Sequence, residues 1–299
     1  MAIYSIRDLE KLSGIKAATI RIWEQRYGIV IALRTTTNIR YYSENDLRKI
    51  LNIALLNKNG FKISKLSTMD DTEIYHRVGA IVRVEDATHS TTLELLTHTM
   101  IEMDELRFHR ILAHHIQQHS FEETMLRIVL PFLEKHSVLW FTGSVKPVQE
   151  NFITQLIRQK LIAAIDAIPL LPDKPTLNFL LYLPEGESDE LHILFIHYLL
   201  RVRHYHSRYI GYNISKADLL DVQTIVQPDY VFTIFAETYT QRPIQQYIST
   251  LSEIFPDAQL LLTGYQVATQ ALQVAPNCTI LKNIDEIIQF LAHLPAKIK

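Results

Sequence analysis

The first seventy residues show two short helical patterns, each of which ends at a glycine. The first pattern begins at Ser5, where a Ser and an Asp three residues apart match a capping box, and it ends at Gly14. The second pattern covers 16–27 and ends at Gly28. Its apolar face carries Ile20, Trp23 and Tyr27, and its polar face carries Ala18, Arg21 and Gln25. Two short helices joined by a tight turn predict a helix-turn-helix.

A polar stretch flanked by β-forming residues follows the second helix. The run RTTTNIRYY at 34–42 predicts a small β-hairpin, which would make the motif a winged helix-turn-helix. A second capping box at Ser43 predicts a helix that ends near Gly60, and 61–66 predicts one more short helix. We interpret the polar, mixed segment 71–90 as a connector with some helix.

The rest of the chain shows two different periodicities. Four helical segments with short connections predict an antiparallel four-helix bundle over 91–172, namely 91–102, 103–117, 120–137 and 145–167. Beyond Pro172 and Pro175, apolar strand patterns alternate with helical ones. The predicted strands are 177–183, 206–213, 229–235, 258–264 and 278–283. This alternation predicts an α/β domain with a doubly wound parallel sheet over 173–299.

The distribution of charge separates the first domain from the rest of the chain. Residues 1–70 contain twelve Lys or Arg and six Asp or Glu, a formal charge of +6, although the net charge of the whole chain is -2. A basic module on an acidic body indicates a nucleic-acid surface near the N-terminus. Chance clustering of the basic residues is the alternative interpretation.

Composition and motifs exclude several other classes. One cysteine, Cys278, makes neither a disulfide nor a thiolate metal cage. His115 and His119 have the spacing of a helical metal pair, but further ligands at a set spacing are missing, so we expect no metal site. No glycine-rich nucleotide loop or nucleophile elbow is present, and we expect no enzyme. Without a signal-peptide pattern or an apolar stretch of about 18 residues, we expect a cytoplasmic protein.

The N-terminal residues together resemble the MerR family of transcriptional regulators over roughly residues 3–70. The residues that carry the resemblance are Tyr4-Ser5-Ile6, Leu9, Gly14-Ile15, the run 19–28 (TIRIWEQRYG), Arg34, the run 38–43 (NIRYYS) and Asp46-Leu47. The resemblance implies a regulator that binds palindromic double-stranded promoter DNA as a homodimer or a higher homo-oligomer. Whether it activates or represses, and which small molecule or protein is its effector, stays open.

Seven residues are the candidate DNA contacts. Arg21 points away from the apolar face and has the geometry to donate two parallel hydrogen bonds to a guanine. The others are Lys16 and Thr19 at the leading end of the second helix, and Arg34, Asn38, Arg40 and Tyr41 on the hairpin, where they would contact phosphates. The alternative is that these are ordinary solvated surface residues. We interpret Trp23, Tyr27 and Tyr42 as core aromatics.

The bundle and sheet together resemble the cobalamin-binding module of light-sensing MerR repressors that control carotenoid genes. In that family a Trp is followed after nine residues by Glu-His, and here Trp140 precedes Glu150-Asn151. The family's loop Asp/Glu-x-His-x-x-Gly, whose His binds cobalt, aligns with 187–192. The resemblance therefore implies a degenerate cofactor site made of Trp140, Glu150, Glu187, Asp189 and His192.

Three departures from the family pattern change the expected function. Asp189 stands at the position of the cobalt-binding His, His192 at that of the small Gly, and Asn151 at that of the bundle His. We expect the cobalamin-binding-like fold to be kept but histidine-ligated cobalamin binding to be lost, since imidazole suits cobalt better than a carboxylate. No cofactor is then expected, and the module would oligomerise or sense another ligand or protein.

Two alternatives to this interpretation stay open. The chain would be a cobalamin-dependent, light-responsive repressor if His192 reached cobalt from one helical turn away. The other is a cobalamin-dependent enzyme, such as a mutase or methyltransferase, against which the attached DNA-binding domain and the missing His both argue.

Overall fold

The computed structural model describes residues 4–34, 40–81, 89–134, 146–170, 177–236 and 244–294. The chain divides into two compact units, Met1–Leu156 and Ile157–Lys299, and each is described by itself. The described residues of the first unit form helices and one small antiparallel sheet, and the second unit contains a five-stranded parallel sheet. The multidomain architecture expected from the sequence, helical first and α/β second, is confirmed at this level. The finer division into domains at 70, 90 and 172 stays a prediction.

Three helices and a two-stranded ribbon form the N-terminal part. They are α1 (Ile6–Ser13), α2 (Ala17–Tyr27), β1 (Leu33–Arg34), β2 (Arg40–Tyr41) and α3 (Glu44–Lys58). Both predicted capping boxes are present, because the Ser5 and Ser43 side chains accept backbone N–H groups at the starts of α1 and α3. Gly14 and Gly28 end α1 and α2 at φ +70° and +61°, a left-handed conformation that glycine adopts without strain.

A small apolar core holds these elements together. Leu9, Ile20 and Leu47 are fully buried, and they lie on α1, α2 and α3 respectively. Trp23 and Tyr42 are buried in the same part of the chain, which confirms their interpretation as core aromatics. Tyr27, the third residue in that interpretation, is only half-buried.

The residue that follows the ribbon attaches it to the start of the domain. β1 and β2 pair antiparallel, with Leu33 opposite Tyr41 and Arg34 opposite Arg40. Tyr4 and Tyr42 exchange two backbone hydrogen bonds of 2.9 and 2.8 Å, which attach the segment before α1 to the residue after β2. The tip of the hairpin, 35–39, lies outside the described residues.

The segment expected to be a connector is helical over 71–81, and its residues 82–88 lie outside the described ones. It contains α5 (Asp71–Ile81), which follows the short predicted helix α4 (Ile63–Leu66). Ile74 and Val78, four residues apart, are buried on α5, and the helix packs against α3. A pair such as Ile74 and Val78 within a polar sequence is a weak helical signal, so the sequence alone favours an irregular connector.

The other helices of this region follow in short succession. They are α6 (His89–Glu102), α7 (Glu105–Gln118), α8 (Phe121–Thr124), a π-helical turn (Met125–Val129) continued by helix at 130–134, and α9 (Pro147–Asp166). These elements match the four predicted helical segments, of which 135–137 and 145 lie outside the described residues. α6 packs against both α3 and α7, and a buried ion pair of 2.9 Å joins Arg107 of α7 to Glu102 of α6.

The second unit is a doubly wound α/β fold, as predicted. Its elements are β3 (Asn178–Tyr182), α10 (Glu190–Val202), β4 (His206–Tyr209), α11 (Lys216–Ile225), β5 (Tyr230–Ile234), α12 (Ile244–Ile254), β6 (Gln259–Thr263), α13 (Tyr265–Thr269), β7 (Cys278–Ile280) and α14 (Ile284–His293). The strands are all parallel in the order β4-β3-β5-β6-β7. The strand order reverses between β3 and β5, so their carboxyl ends border the crevice where such sheets bind ligands.

Strand residues alternate between two apolar cores. On one face, Leu180, Val231 and Leu260 pack with Ile248 and Leu251 of α12. On the other face, Phe179 stacks on Tyr230, which meets Phe290 of α14 edge to face. Apolar residues on both faces of the central strands explain the continuous hydrophobic runs in the sequence. Within the described ranges, no helix combines the length and the apolar character that crossing a bilayer requires.

Candidate functional site

The exposed face of α2 lies opposite its anchored face. Ile20 and Trp23 are buried, whereas Arg21, Ile22 and Gln25 are exposed, as the 3.6-residue period predicts for Arg21 and Gln25. Ile22 is 53% exposed, an unusual position for a large apolar side chain next to a charged one. The face therefore offers a guanidinium, an amide and an apolar group side by side. Ile22 is not among the residues predicted from the sequence, although two residues from the buried Ile20 correspond to about 200° around a helix and so place it on this face.

The start of α2 is held by a carboxylate of α1. Glu10 Oε2 accepts a 3.2 Å hydrogen bond from the backbone N–H of Ala17, the first residue of α2. Lys16, the N-cap of α2, lies 3.3 Å from Glu10 Oε1 with its side chain 84% exposed. The Ala17 N–H and then Lys16 lower the pKa of Glu10. Thr19 is half-buried one turn further along. Lys16, Thr19 and Arg21 therefore lie along the first half of α2.

Two arginines face each other on the ribbon. Arg34 and Arg40 are register partners, and both are exposed. Tyr41 is half-buried beside Arg40, and Asn38 lies outside the described residues. Two arginine side chains in register form a concentrated positive surface, in which the like charges repel each other. The structure thus brings three of the four predicted hairpin residues onto one short ribbon.

A second carboxylate joins α2 to the ribbon. Glu24 Oε1 accepts a hydrogen bond of 3.2 Å from the backbone N–H of Ala32, and Glu24 Oε2 accepts one of 3.3 Å from the hydroxyl of Tyr42. Burial, and then the charge of Glu24, raises the pKa of Tyr42 to about 12, so the hydroxyl keeps its proton. The role of Glu24 could not be predicted from the sequence, because its partners lie 8 and 18 residues away.

The crevice of the sheet contains a buried carboxylate. Glu187 lies after β3, in a turn in which Gly186 adopts φ +86°. The side chain of Glu187 is buried. Its Oε2 accepts a 3.0 Å hydrogen bond from the backbone N–H of Ala236, just after β5. This bond spans the carboxyl ends of the two strands at which the order reverses. The helix α10 begins only at Glu190, because the chain is still in this turn at 187.

Asp189 and His192 form a local pair at the start of α10. His192 Nδ1 lies 2.6 Å from Asp189 Oδ1. Their side chains are 42% and 27% exposed. The next carboxylate, Glu190, binds Arg158 through contacts of 2.7 and 3.2 Å. The structure therefore brings Glu187, Asp189 and His192 into one short segment, with the carboxylate of Asp189 engaged by the imidazole of His192.

The two other residues of the predicted cofactor site are placed differently. Glu150 is half-buried on α9 in the first compact unit, and burial raises the pKa of its carboxyl. Trp140 lies outside the described residues. The described ranges contain no cluster of three His, Cys, Asp or Glu side chains fit to hold a metal ion.

Comparison with known proteins agrees with this N-terminal geometry. Residues 4–72 match the family described as MerR HTH family regulatory protein. The HTH-type transcriptional repressor CarH of Myxococcus xanthus is 24% identical over 260 residues, 84% of each chain. The repressor CarA of the same organism is 26% identical over 250 residues, 83% of this chain and 81% of CarA. The HTH-type transcriptional regulator MlrA of Escherichia coli (strain K12) is 32% identical over 73 residues, 24% of this chain and 30% of MlrA.

A solved cobalamin-binding protein from Desulfitobacterium hafniense DCB-2 aligns with 69% of this chain and 98% of its own. With a TM-score of 0.32 and 10% identity, this likeness is too distant to inform the site.

The fold and the exposed basic face of α2 define the N-terminal part as a helix-turn-helix DNA-binding domain. The match over residues 4–72 makes it a MerR-type domain, and the chain is a transcriptional regulator of the MerR type.

Proposed function

We propose that α2 is the recognition helix and enters the major groove of the operator. The observation that carries the proposal is that Arg21 is exposed on the face opposite the buried Ile20 and Trp23. In a helix-turn-helix, the first half of the second helix reads base edges, and Lys16, Thr19 and Arg21 occupy that half of α2. Arg21 would bind a guanine through its O6 and N7 atoms.

The ribbon acts in this proposal as a wing on the phosphate backbone. Arg34 and Arg40 would each neutralise a phosphate, with Tyr41 and the hairpin residue Asn38 beside them. The formal charge of +6 on residues 1–70, from twelve basic and six acidic side chains, supports a polyanionic partner for this domain. The matched regulators support a regulatory function for the chain and not an enzymatic one.

The operator would be a palindrome bound by two copies of the chain. Duplexes selected from a random-sequence pool by the full-length protein at a fixed salt concentration test this directly. We expect two inverted half-sites separated by one helical turn or a multiple of it, with footprint protection on both. Selection that yields no shared sequence would overturn the proposal, because binding would then depend on the phosphates alone.

We also infer that the C-terminal domain does not hold cobalamin through a histidine. The resemblance implies an imidazole at position 189, but Asp189 offers a carboxylate, and His192 Nδ1 lies 2.6 Å from it. A carboxylate is a poor substitute for imidazole at cobalt. Glu187 bonds across the carboxyl ends of β3 and β5, where a ligand of a doubly wound sheet would enter. The residues present therefore do not fit the group, and the domain would oligomerise or sense another ligand or protein.

Adding adenosylcobalamin or methylcobalamin to the full-length protein in the dark tests this inference. We expect an unchanged corrinoid spectrum and no coloured protein after gel filtration. Retention of the corrinoid with a shifted spectrum would overturn it. Loss of that retention in His192→Ala, but not in the charge-matched His204→Ala, would then assign the cobalt ligand to His192.

A further inference from the structure

One acidic side chain fastens the recognition helix to both strands of the ribbon. Ala32, which donates its N–H to Glu24, directly precedes β1, and Tyr42, which donates its hydroxyl, directly follows β2. Glu24 therefore holds the two roots of the ribbon on a single carboxylate. Hydrogen bonds to an ionised acceptor are stronger and more directional than neutral ones, so this attachment resists rotation of the ribbon.

Among the described residues, no backbone hydrogen bond joins α2 to Ala32 or Tyr42 at the roots of the ribbon. Gly28 ends α2 in a left-handed conformation, and the chain then runs through the buried Ile29 and Val30 to Ala32. The Tyr42 backbone bonds to Tyr4 and not to α2. The side chain of Glu24 thus connects the reading helix to the residues next to both strands.

We propose that Glu24 is a positioning residue for DNA binding, whose carboxylate sets the angle between α2 and the ribbon so that both engage the same duplex. The inference rests on the proposed function, since it requires α2 in the major groove and the ribbon on the phosphates. A glutamate on a DNA-binding helix otherwise opposes binding, because its charge repels phosphate. A geometric role explains why a carboxylate occupies this position in a basic domain.

The charge of Glu24 and its proposed geometric role predict opposite effects when the side chain is removed. Removal of a carboxylate makes the domain more positive, so electrostatics alone predicts tighter DNA binding and a salt dependence that is unchanged or steeper. Loss of the ribbon contacts predicts the opposite, namely weaker binding and a shallower salt dependence. The apolar core of Ile20, Trp23 and Leu47 does not depend on Glu24, so a folded variant is expected.

The experiment compares Glu24→Ala with Glu24→Gln and with Glu73→Ala in the full-length protein on the selected duplex. Glu73 is exposed on α5, where it pairs with Arg77, and its removal changes the charge equally. We expect Glu24→Ala to lose footprint protection at the flanks of the half-sites, where the ribbon would lie. The slope of log K against log salt should fall in magnitude by about one to two. The variant's base preferences in the selected half-sites should persist. Glu24→Gln should recover the wild-type footprint, since an amide oxygen accepts the Ala32 N–H and its NH₂ group donates to the Tyr42 oxygen.

The inference would be overturned if Glu24→Ala and Glu73→Ala showed equal flank protection and equal salt slopes. If Glu24→Ala unfolds, Tyr42→Phe removes only the hydroxyl, and the same loss of flank protection is expected from it in part. An unaltered Tyr42→Phe footprint would then contradict the role. Arg21→Ala and Arg34→Ala distinguish failure of the proposed function from failure of this inference. If both variants bind DNA as the wild-type protein does, the proposed function fails. If both weaken binding and Glu24→Ala does not, only the role of Glu24 fails.

Discussion

Arg34 and Arg40 lie directly opposite each other across the antiparallel ribbon, with both side chains exposed. Like charges in register cost stability in a free sheet, and a phosphate placed between them relieves the repulsion. A pair of this kind is therefore better suited to a bound polyanion than to stabilising an isolated ribbon. It also makes the contribution of the ribbon to DNA binding measurable, because phosphate contacts determine the salt dependence of affinity.

Replacing either ribbon arginine by alanine should weaken binding to all duplexes alike. Each lost phosphate contact should reduce the slope of log K against log salt by about 0.9. Fluorescence anisotropy on the selected duplex and on a scrambled duplex, over a series of salt concentrations, measures both effects. An unchanged slope in both Arg34→Ala and Arg40→Ala would remove the ribbon from the interface.

The exposed Ile22 should contribute to base preference and not to stability. An apolar side chain on the reading face has a natural partner in the methyl group of thymine. Ile22→Ala should therefore lower affinity for the selected duplex and relax the preference at one thymine, while the free energy of unfolding changes by less than about 0.5 kcal/mol.

Ile20→Ala is the matched control for Ile22→Ala, because it makes the same change on the buried face of α2. It should destabilise the protein by about 2–5 kcal/mol, as deletion of a buried isoleucine does. Denaturant unfolding of the two variants compares them. Equal losses of stability would contradict the assignment of the two faces.

Acid should destabilise the protein partly through His98. This residue of α6 is fully buried, and burial lowers its pKa to about 4, from an ordinary value of 6.5. Between pH 6.5 and 4 the unfolded chain takes up a proton that the folded protein does not, so stability falls as the pH falls, by at most roughly 3 kcal/mol. Urea unfolding of His98→Leu at pH 7 and pH 5 should show a smaller loss than the wild-type protein. An identical loss in both proteins would exclude a buried neutral His98.

The carboxylate of Glu187 should stabilise the carboxyl edge of the parallel sheet. Glu187→Ala leaves the N–H of Ala236 without its 3.0 Å partner, and leaving a backbone donor unpaired in this way costs about 1–3 kcal/mol. Glu185→Ala, two residues away and exposed, should have little effect. Thermal unfolding measures both variants, and equal melting temperatures would show that the bond contributes nothing.

Local signals account for most of the fold that could be predicted from sequence. The serines that begin α1, α3 and α11 each carry an acidic residue three positions later, and all three capping boxes form. The central strands of the sheet are buried on both faces, so each appears in the sequence as a short continuous apolar run that indicates its position. Agreement of caps, periodicity and composition made these elements predictable.

The features that could not be predicted depend on contacts between distant residues. The two hydrogen bonds of Glu24 join α2 to the residues next to β1 and β2. The bond that the Ala236 N–H donates to Glu187 joins residues 49 positions apart. Neither leaves a periodic trace in the sequence. The interval 71–81 has the sequence pattern of a connector, because the burial of Ile74 and Val78 becomes evident only when the helix packs against α3.

The most direct test of the account is the affinity of Arg21→Ala for the selected duplex, measured beside that of Arg26→Ala. Both variants lose one guanidinium from α2, but Arg26 lies in its last turn, away from the base-reading half. We predict that Arg21→Ala weakens specific binding by about 1–3 kcal/mol and relaxes one base preference, while Arg26→Ala keeps every base preference. If Arg21→Ala binds the selected duplex as tightly and as selectively as the wild-type protein, α2 is not the helix that reads the operator.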